Sequence, residues 1–176
     1  MKTKTTRRRV QVGALVVLAL MASACGGDDN EKKTVTAADY TFKNLPKEVT
    51  TKTVITLTNS STKELHEFVA IRIPETEKRS VSDLLKLPED QQNAIFGETE
   101  PATVLLAPPG GAPSIKAVGD GTIKQKGRYA IICAIPTGAD PQAYLAAAQT
   151  ATNGPPQVAG GPPHFTQGMF GELKVK

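Results

Sequence analysis

The sequence has few residues of the types that build aromatic or cross-linked sites. Its 176 residues include no tryptophan, and aromatic residues make up 5% of the chain. This scarcity argues against a nucleic-acid-binding surface on which bases stack. Two cysteines and two histidines are present, so a small fold held by several disulfides is excluded. Any chemistry that needs a thiol or an imidazole has only four positions to use.

The positive net charge of the chain comes from its first residues. The formal net charge is +4, from 21 basic and 17 acidic residues. Five of the basic residues and none of the acidic residues lie within residues 1–24. The rest of the chain therefore has one more acidic than basic residue. Because a basic leader is removed after export, it says nothing about nucleic-acid binding, and no nucleic-acid partner is expected.

Residues 1–24 have the organisation of a bacterial export signal. The basic residues 2–9 precede an apolar run over residues 10–21, which is shorter than the roughly 20 residues of a membrane-spanning helix. The run ends in Ala22-Ser23-Ala24-Cys25, which resembles the lipobox of bacterial lipoproteins although Ala22 stands where Leu is usual. Ordinary cleavage near Ala24, which leaves Cys25 as a free thiol, is the alternative.

A lipidated Cys25 divides the chain into three predicted parts. Residues 1–24 are a signal peptide, residues 25–33 are the lipidated cysteine and a flexible tether, and residues 34–176 are the folded domain. More than one acyl chain suffices for stable attachment, so the domain is expected at the extracytoplasmic face of the cell membrane. Cys133 then remains as the thiol of the domain, without a disulfide partner.

The composition of the domain predicts an all-β fold. Short segments rich in Val, Ile, Thr, Tyr and Phe alternate with turn residues, which is typical of a β-sandwich. In one segment, alternation predicts that Val69, Ile71 and Ile73 face the core. The predicted strands cover residues 34–42, 52–58, 67–73, 103–107, 113–118, 127–135 and 169–176.

Two short helical insertions interrupt these strands. Ser80 precedes a helix start, and Pro88 ends that helix or begins a second one that continues to Ile95. Asp140 as N-cap and Pro141 at the first helical position predict another helix over residues 140–150.

The domain contains two histidines, one cysteine and one methionine, which are His66, Cys133, His164 and Met169. Two imidazoles, a thiolate and a thioether are the donors of a mononuclear blue-copper site, in which the methionine is a weak axial ligand. Each residue alone has an ordinary explanation, such as core packing for the cysteine. Their positions favour a shared site, because all four lie close to the ends of predicted strands.

These segments resemble the cupredoxins, in particular plastocyanin-like and azurin-like bacterial domains. The resemblance is carried by Asn59 with His66-Glu67-Phe68, by Gly127-Arg128-Tyr129 with Cys133-Ala134-Ile135-Pro136, and by residues 164–175. It covers residues 34–176, with insertions. It implies a Greek-key β-sandwich, one type 1 copper ion bound by His66, Cys133, His164 and Met169, and single-electron transfer rather than enzymatic catalysis.

The chain departs from typical cupredoxins at two places. Thirty residues separate Cys133 from His164, where typical members have only a few. Closing the longer loop costs roughly 2 kcal/mol more, which a metal site can offset. We expect this loop to fold back beside the copper end, anchored by Tyr144 and Leu145. Glu67 stands where plastocyanins have Asn, so a bond that braces the site is missing or replaced.

The resemblance also implies how the protein meets its partner. His164 is expected to form the exposed edge through which electrons pass, within an apolar collar that suits brief docking to a redox protein. The collar consists of Pro162, Pro163, Phe165 and Phe170. The expected protein is a monomeric, membrane-anchored electron carrier. Two alternatives remain open: a Cu(I) storage or delivery protein with the same ligands, and a metal-free interaction domain.

Overall fold

The computed structural model describes residue 1 and residues 30–97, 99–151 and 154–176. The predicted lipidation site, Cys25, and the rest of the predicted signal peptide after residue 1 lie outside these ranges. The strands are β1 (Lys32–Ala38), β2 (Thr41–Lys43), β3 (Glu48–Val49), β4 (Val54–Asn59), β5 (His66–Ile73), β6 (Thr103–Ala107), β7 (Ile115–Val118), β8 (Gly127–Ile132) and β9 (Phe170–Val175). The helices are α1 (Val81–Leu84), α2 (Glu89–Phe96), α3 (Pro141–Thr150) and a 3-10 helix (His164–Gln167).

The strands form two sheets that enclose one core. The smaller sheet has the order β2-β1-β4, and the larger has the order β3-β9-β8-β5-β6-β7. Strands distant in sequence are neighbours, such as β5 and β8, as crossover connections require. The predicted all-β sandwich with helical insertions is confirmed. Across the described ranges, no helix has both the length and the apolar character needed to span a bilayer.

The core between the sheets is a single apolar cluster. Val35 and Leu57 come from the smaller sheet, and Phe68, Ile131 and Leu173 come from the larger one. Each of these side chains is at most 2% exposed. Burying a side chain of this size contributes about 1.5–3 kcal/mol to folding, so the cluster holds the two sheets together.

Strand β5 is buried on both faces, which corrects the predicted alternation. Phe68 and Ala70, on the face predicted to point outward, belong to the core between the sheets. Ile73, on the other face, packs with Val81 and Leu84 of α1 in a second cluster. The first helical insertion therefore covers the outer surface of the larger sheet. Alternation could not identify the inner face because both sets of side chains are largely apolar.

The domain begins inside the segment predicted to be a tether. Strand β1 starts at Lys32 rather than at Thr34, and Lys32 and Lys33 lie opposite Val54 and Ile55 in a parallel ladder. Backbone hydrogen bonds with β4 order these polar residues, because a ladder needs no apolar side chain at each position.

Gly121 connects the two sheets. Its N–H donates to Thr103 Oγ1 at 3.2 Å, and its carbonyl oxygen accepts from the Ile55 N–H at 2.8 Å. Its φ of +93° is strained for any residue with a side chain, and a Cβ atom there would lie 2.3 Å from the Ile55 carbonyl oxygen. Glycine is therefore required at this position.

We expect Gly121→Ala to destabilise the domain more than Gly110→Ala does. Gly110 has a similar φ of +76° but nothing within 4 Å of the added Cβ. Both variants suffer backbone strain of about 1–3 kcal/mol, and only Gly121→Ala adds a collision with the main chain. Urea unfolding of both variants measures the difference. Equal losses of stability would show that the collision is relieved without cost.

Candidate metal centre

Three of the predicted ligands meet at one end of the sandwich. His66 is the first residue of β5, Cys133 directly follows β8, and His164 begins the 3-10 helix before β9. One donor atom from each lies within 4.8 Å of the other two, and all three side chains are completely buried. Three different elements of the fold thus supply the three donors.

The donor atoms have the spacing that one small ion needs. His66 Nδ1 is 3.2 Å from His164 Nδ1, and Cys133 Sγ is 3.3 Å from the same atom. Two nitrogens bound at about 2.0 Å and 120° around a metal are about 3.5 Å apart. Only a slight opening of the group is needed to admit the ion.

Met169 lies beside these residues through its main chain. Its carbonyl oxygen accepts from the Cys133 N–H at 3.2 Å, and its N–H donates to the His164 carbonyl oxygen at 3.2 Å. Its side chain is completely buried. These two bonds hold the main chain of Met169 next to Cys133 and His164. The assignment of the four residues as copper ligands stays a prediction.

The loop over residues 136–163, called the long loop below, closes at its base. The Thr137 N–H donates to the Pro162 carbonyl oxygen at 3.1 Å, and the Gly161 N–H donates to the Thr137 carbonyl oxygen at 2.8 Å. Next to this base, the His164 N–H donates to the Ile135 carbonyl oxygen at 3.0 Å. The two ends of this 28-residue loop are therefore paired as they would be in a short turn.

Asn59 fixes the segment that leads to His66. Its Nδ2 donates to the carbonyl oxygens of Glu64 and Ala107, both at 2.8 Å. Its Oδ1 accepts from the Ser61 N–H at 2.8 Å. Since Ala107 lies opposite His66 in the ladder of β5 and β6, Asn59 joins the segment before His66 to the strand beside it.

Burial favours the uncharged forms of the metal-free ligands. It lowers the pKa of His66 to about 4, and repulsion from His164 adds to this lowering. Burial also lowers the pKa of His164, against the attraction of the Glu64 carboxylate. Burial raises the pKa of the Cys133 thiol well above its ordinary value. At neutral pH the metal-free site therefore contains two neutral imidazoles and a thiol.

The donor set fits one copper ion. With the ring protons on Nε2, the Nδ1 lone pairs of His66 and His164 face each other at 3.2 Å, an arrangement that a cation stabilises. A thiolate and two imidazoles suit copper and do not suit hard cations such as Mg²⁺ or Ca²⁺. The His-Cys-His group in a β-sandwich fits a cupredoxin, as the sequence resemblance implied.

His164 is not the exposed edge that the resemblance implied, since its exposed fraction is 0%. The ring of Tyr40 stands edge-on against it, with 4.9 Å between ring centroids. Glu64 Oε2 lies 3.5 Å from His164 Nε2 and accepts from the Gly138 N–H at 3.3 Å. Phe170 packs against the second apolar cluster, so it does not form part of a collar around this imidazole.

Tyr40 is the part of this cover that sequence reasoning missed. It lies in a turn at residues 39–40 that divides the predicted strand 34–42 into β1 and β2. Its φ of 63° lies in the left-handed region, which is strained for tyrosine. Asp39 was the available signal, because aspartate is common in turns and rare within strands.

Glu67 supplies the brace that the sequence left open. Its backbone N–H donates to Cys133 Sγ at 3.3 Å, and its Oε1 accepts from the Ala134 N–H at 2.9 Å. Its Oε2 accepts from the Tyr144 hydroxyl at 3.1 Å. Burial raises the pKa of the Glu67 carboxyl to about 7, against the lowering effect of these hydrogen bonds. The bond that braces the site is therefore replaced rather than missing, and α3 contributes to the replacement through the Tyr144 hydroxyl.

Solved structures similar to this chain include three auracyanins. Reduced auracyanin from the photosynthetic bacterium Roseiflexus castenholzii is 17% identical, with 85% of this chain and 99% of that chain covered and a TM-score of 0.41. Auracyanin A, a "blue" copper protein from Chloroflexus aurantiacus, is 15% identical, with coverages of 82% and 99% and a TM-score of 0.39. Auracyanin B is 15% identical, with coverages of 83% and 88% and a TM-score of 0.34. No family model matches the chain, and no curated protein matches it significantly.

We expect copper uptake near pH 7 to release one proton per ion. The Cys133 thiol must lose its proton to bind, whereas His66 and His164 are already neutral. The apparent affinity should therefore rise about tenfold for each pH unit below the pKa of the thiol. Calorimetric titration in two buffers of different ionisation enthalpy counts the protons. Uptake without proton release would mean that Cys133 is not a ligand.

Proposed function

We propose that this protein binds one type 1 copper ion and transfers single electrons. The observation that carries the proposal is the completely buried group of His66, Cys133 and His164, with donor atoms within 4.8 Å of one another. When bound, copper supplies a one-electron couple. The chain supplies a fixed cage, because each donor lies on or directly beside a strand or helix of the sandwich.

Burial of the donors favours electron transfer over catalysis. Cys133, His66 and His164 are each 0% exposed, so a substrate has no direct approach to an ion held between them. A site held by the surrounding sheet also changes little in shape when its charge changes, which favours rapid exchange of electrons. We therefore assign the protein as a carrier that docks briefly with a redox protein, and not as an enzyme.

We further propose that Cys25 anchors the domain to the extracytoplasmic face of the cell membrane. Support comes from the lipobox-like Ala22-Ser23-Ala24-Cys25. Six residues separate Cys25 from the start of β1, which span about 20 Å when extended. Since β1 begins at Lys32 and the turn after it brings Tyr40 to His164, the proposed tether would join the domain at the end of β1 that is away from His164.

The visible spectrum of the purified protein with Cu(II) tests the copper proposal. We expect an intense thiolate-to-copper band, which Cys133→Ser should abolish. Met169→Leu should keep the band and raise the reduction potential, because the axial thioether bonds weakly and stabilises Cu(II). Tight binding of Cu(I) without a Cu(II) band would instead indicate a storage or delivery protein. Absence of both would indicate a metal-free interaction domain.

Membrane fractionation tests the anchor separately. We expect Cys25→Ser to move the protein from the membrane fraction to the soluble fraction, because the thioether-linked lipid can no longer form. The copper band should be unchanged, since Cys25 precedes the folded domain. Continued membrane attachment of the variant would show that Cys25 is not the anchor.

A further inference from the structure

We propose that Tyr144, in the long loop, is a positioning residue for the copper thiolate that acts through Glu67. This inference rests on the proposed copper site and concerns what the unusual loop contributes to it. Tyr144 itself touches none of the ligand atoms among the hydrogen bonds described above. Its hydroxyl instead completes a buried chain of bonds that ends at Cys133.

The inner half of this chain is a clamp made by Glu67. The Glu67 backbone N–H donates to Cys133 Sγ at 3.3 Å, and the Glu67 side chain accepts from the Ala134 N–H at 2.9 Å. Both contacts concern the same short stretch at the end of β8. Hydrogen bonds to a copper-bound thiolate tune the properties of the metal. The position of Glu67 therefore affects both where the sulfur lies and how much electron density it carries.

The outer half of the chain is the bond from α3. The Tyr144 hydroxyl donates to Glu67 Oε2 at 3.1 Å, and only 4% of the Glu67 residue is exposed. Tyr144 is 1% exposed. Among the described residues, it is the donor that reaches this oxygen. A buried carboxyl oxygen without a donor is unfavourable, so loss of the hydroxyl would allow Glu67 to shift.

The loop is built to hold Tyr144 in place. The Asp140 side chain caps α3 by accepting from the Ala143 N–H at 2.7 Å. Leu145 and Ala148 pack beside Tyr144 against the main core. A helix of ten residues is marginal in water by itself, so these contacts are what fix its position. The long loop thus supplies the Tyr144 hydroxyl, a group that the short loops of typical members do not contain.

The sequence explains why Glu67 and Tyr144 belong together. The resemblance implies an asparagine at position 67, and the longer Glu67 side chain adds a second oxygen that needs its own donor. Tyr144 provides that donor from the long loop. The two departures from the typical pattern, Glu67 and the long loop, are therefore linked, because the loop supplies the hydrogen-bond donor for the carboxyl that replaces the asparagine.

Tyr144→Phe tests the proposal, with Tyr129→Phe as the matched control. Both tyrosines are 1% exposed, and the Tyr129 hydroxyl donates to the Gln125 carbonyl oxygen at 2.9 Å, away from Glu67. Each variant removes one buried hydroxyl and keeps the ring. Any general loss of stability from removing a hydroxyl should therefore occur in both variants. Only Tyr144→Phe also removes the donor to Glu67.

The first measurement uses metal-free protein and amide hydrogen exchange by NMR. The Ala134 N–H is bound to Glu67, so its exchange, relative to that of the core amide of Ile131, should quicken about tenfold in Tyr144→Phe. Tyr129→Phe should leave this ratio unchanged. Glu67→Gln should also preserve it, because the amide can accept from Ala134 and donate to the Tyr144 oxygen.

The second measurement uses the copper-loaded protein. Tyr144→Phe should lower the reduction potential and shift the thiolate-to-copper band, because a weaker N–H donor to the sulfur favours Cu(II). It should also lose copper to a chelator about tenfold faster, whereas Tyr129→Phe should match the unmodified protein. If Tyr144→Phe changes stability alone, as the control does, Tyr144 is only a packing residue and the proposal is wrong. If no variant binds copper, the proposed function fails, while the Ala134 exchange ratio still decides the link to Glu67.

Discussion

Main-chain pairing between the end of β8 and the segment before β9 holds the proposed site together. The Phe165 N–H donates to the Cys133 carbonyl oxygen at 2.8 Å, and the Cys133 N–H donates to the Met169 carbonyl oxygen at 3.2 Å. These bonds fix Cys133, His164 and Met169 relative to one another before any ion is present. His66 is then added from β5, which pairs with β8 in the same sheet. The geometry of the donors is thus set by the backbone, and the side chains need only the right rotamers.

Because of the same pairing, the main-chain positions of the ligands do not depend on the length of the long loop. Once the base of the loop is closed, the entropy cost of further residues grows only with the logarithm of their number. The extra chain is then free to serve another purpose. Here it forms α3 and places one tyrosine against a buried carboxyl, and it brings Gly138 to Glu64 above His164.

The ligand candidates were predictable because the domain contains so few residues of the right chemistry. His66, Cys133, His164 and Met169 needed no choice among alternatives, and alternating strand segments indicated the sandwich. The helix at α3 was predictable from Asp140 and Pro141, since capping is a local signal.

The surroundings of the site could not be predicted in the same way. The contact between Glu67 and Tyr144 joins residues far apart in sequence, and the path of the loop decides it rather than any local pattern. The position of Tyr40 over His164 depends on a turn inside an apparently continuous strand. The burial of both faces of β5 depends on where α1 packs. In each case the information lies in tertiary contacts.

Complete burial of Cys133 also affects how easily its thiol is oxidised in the metal-free protein. A thiolate exposed to oxidants proceeds through sulfenic acid to sulfinic and sulfonic acids, and the last steps are irreversible. Cys133 has no exposed surface, and burial raises its pKa, so the metal-free form keeps a protonated and inaccessible sulfur. In the proposed copper protein, the thiol of Cys133 is therefore protected from oxidation in the interval between folding and the binding of copper.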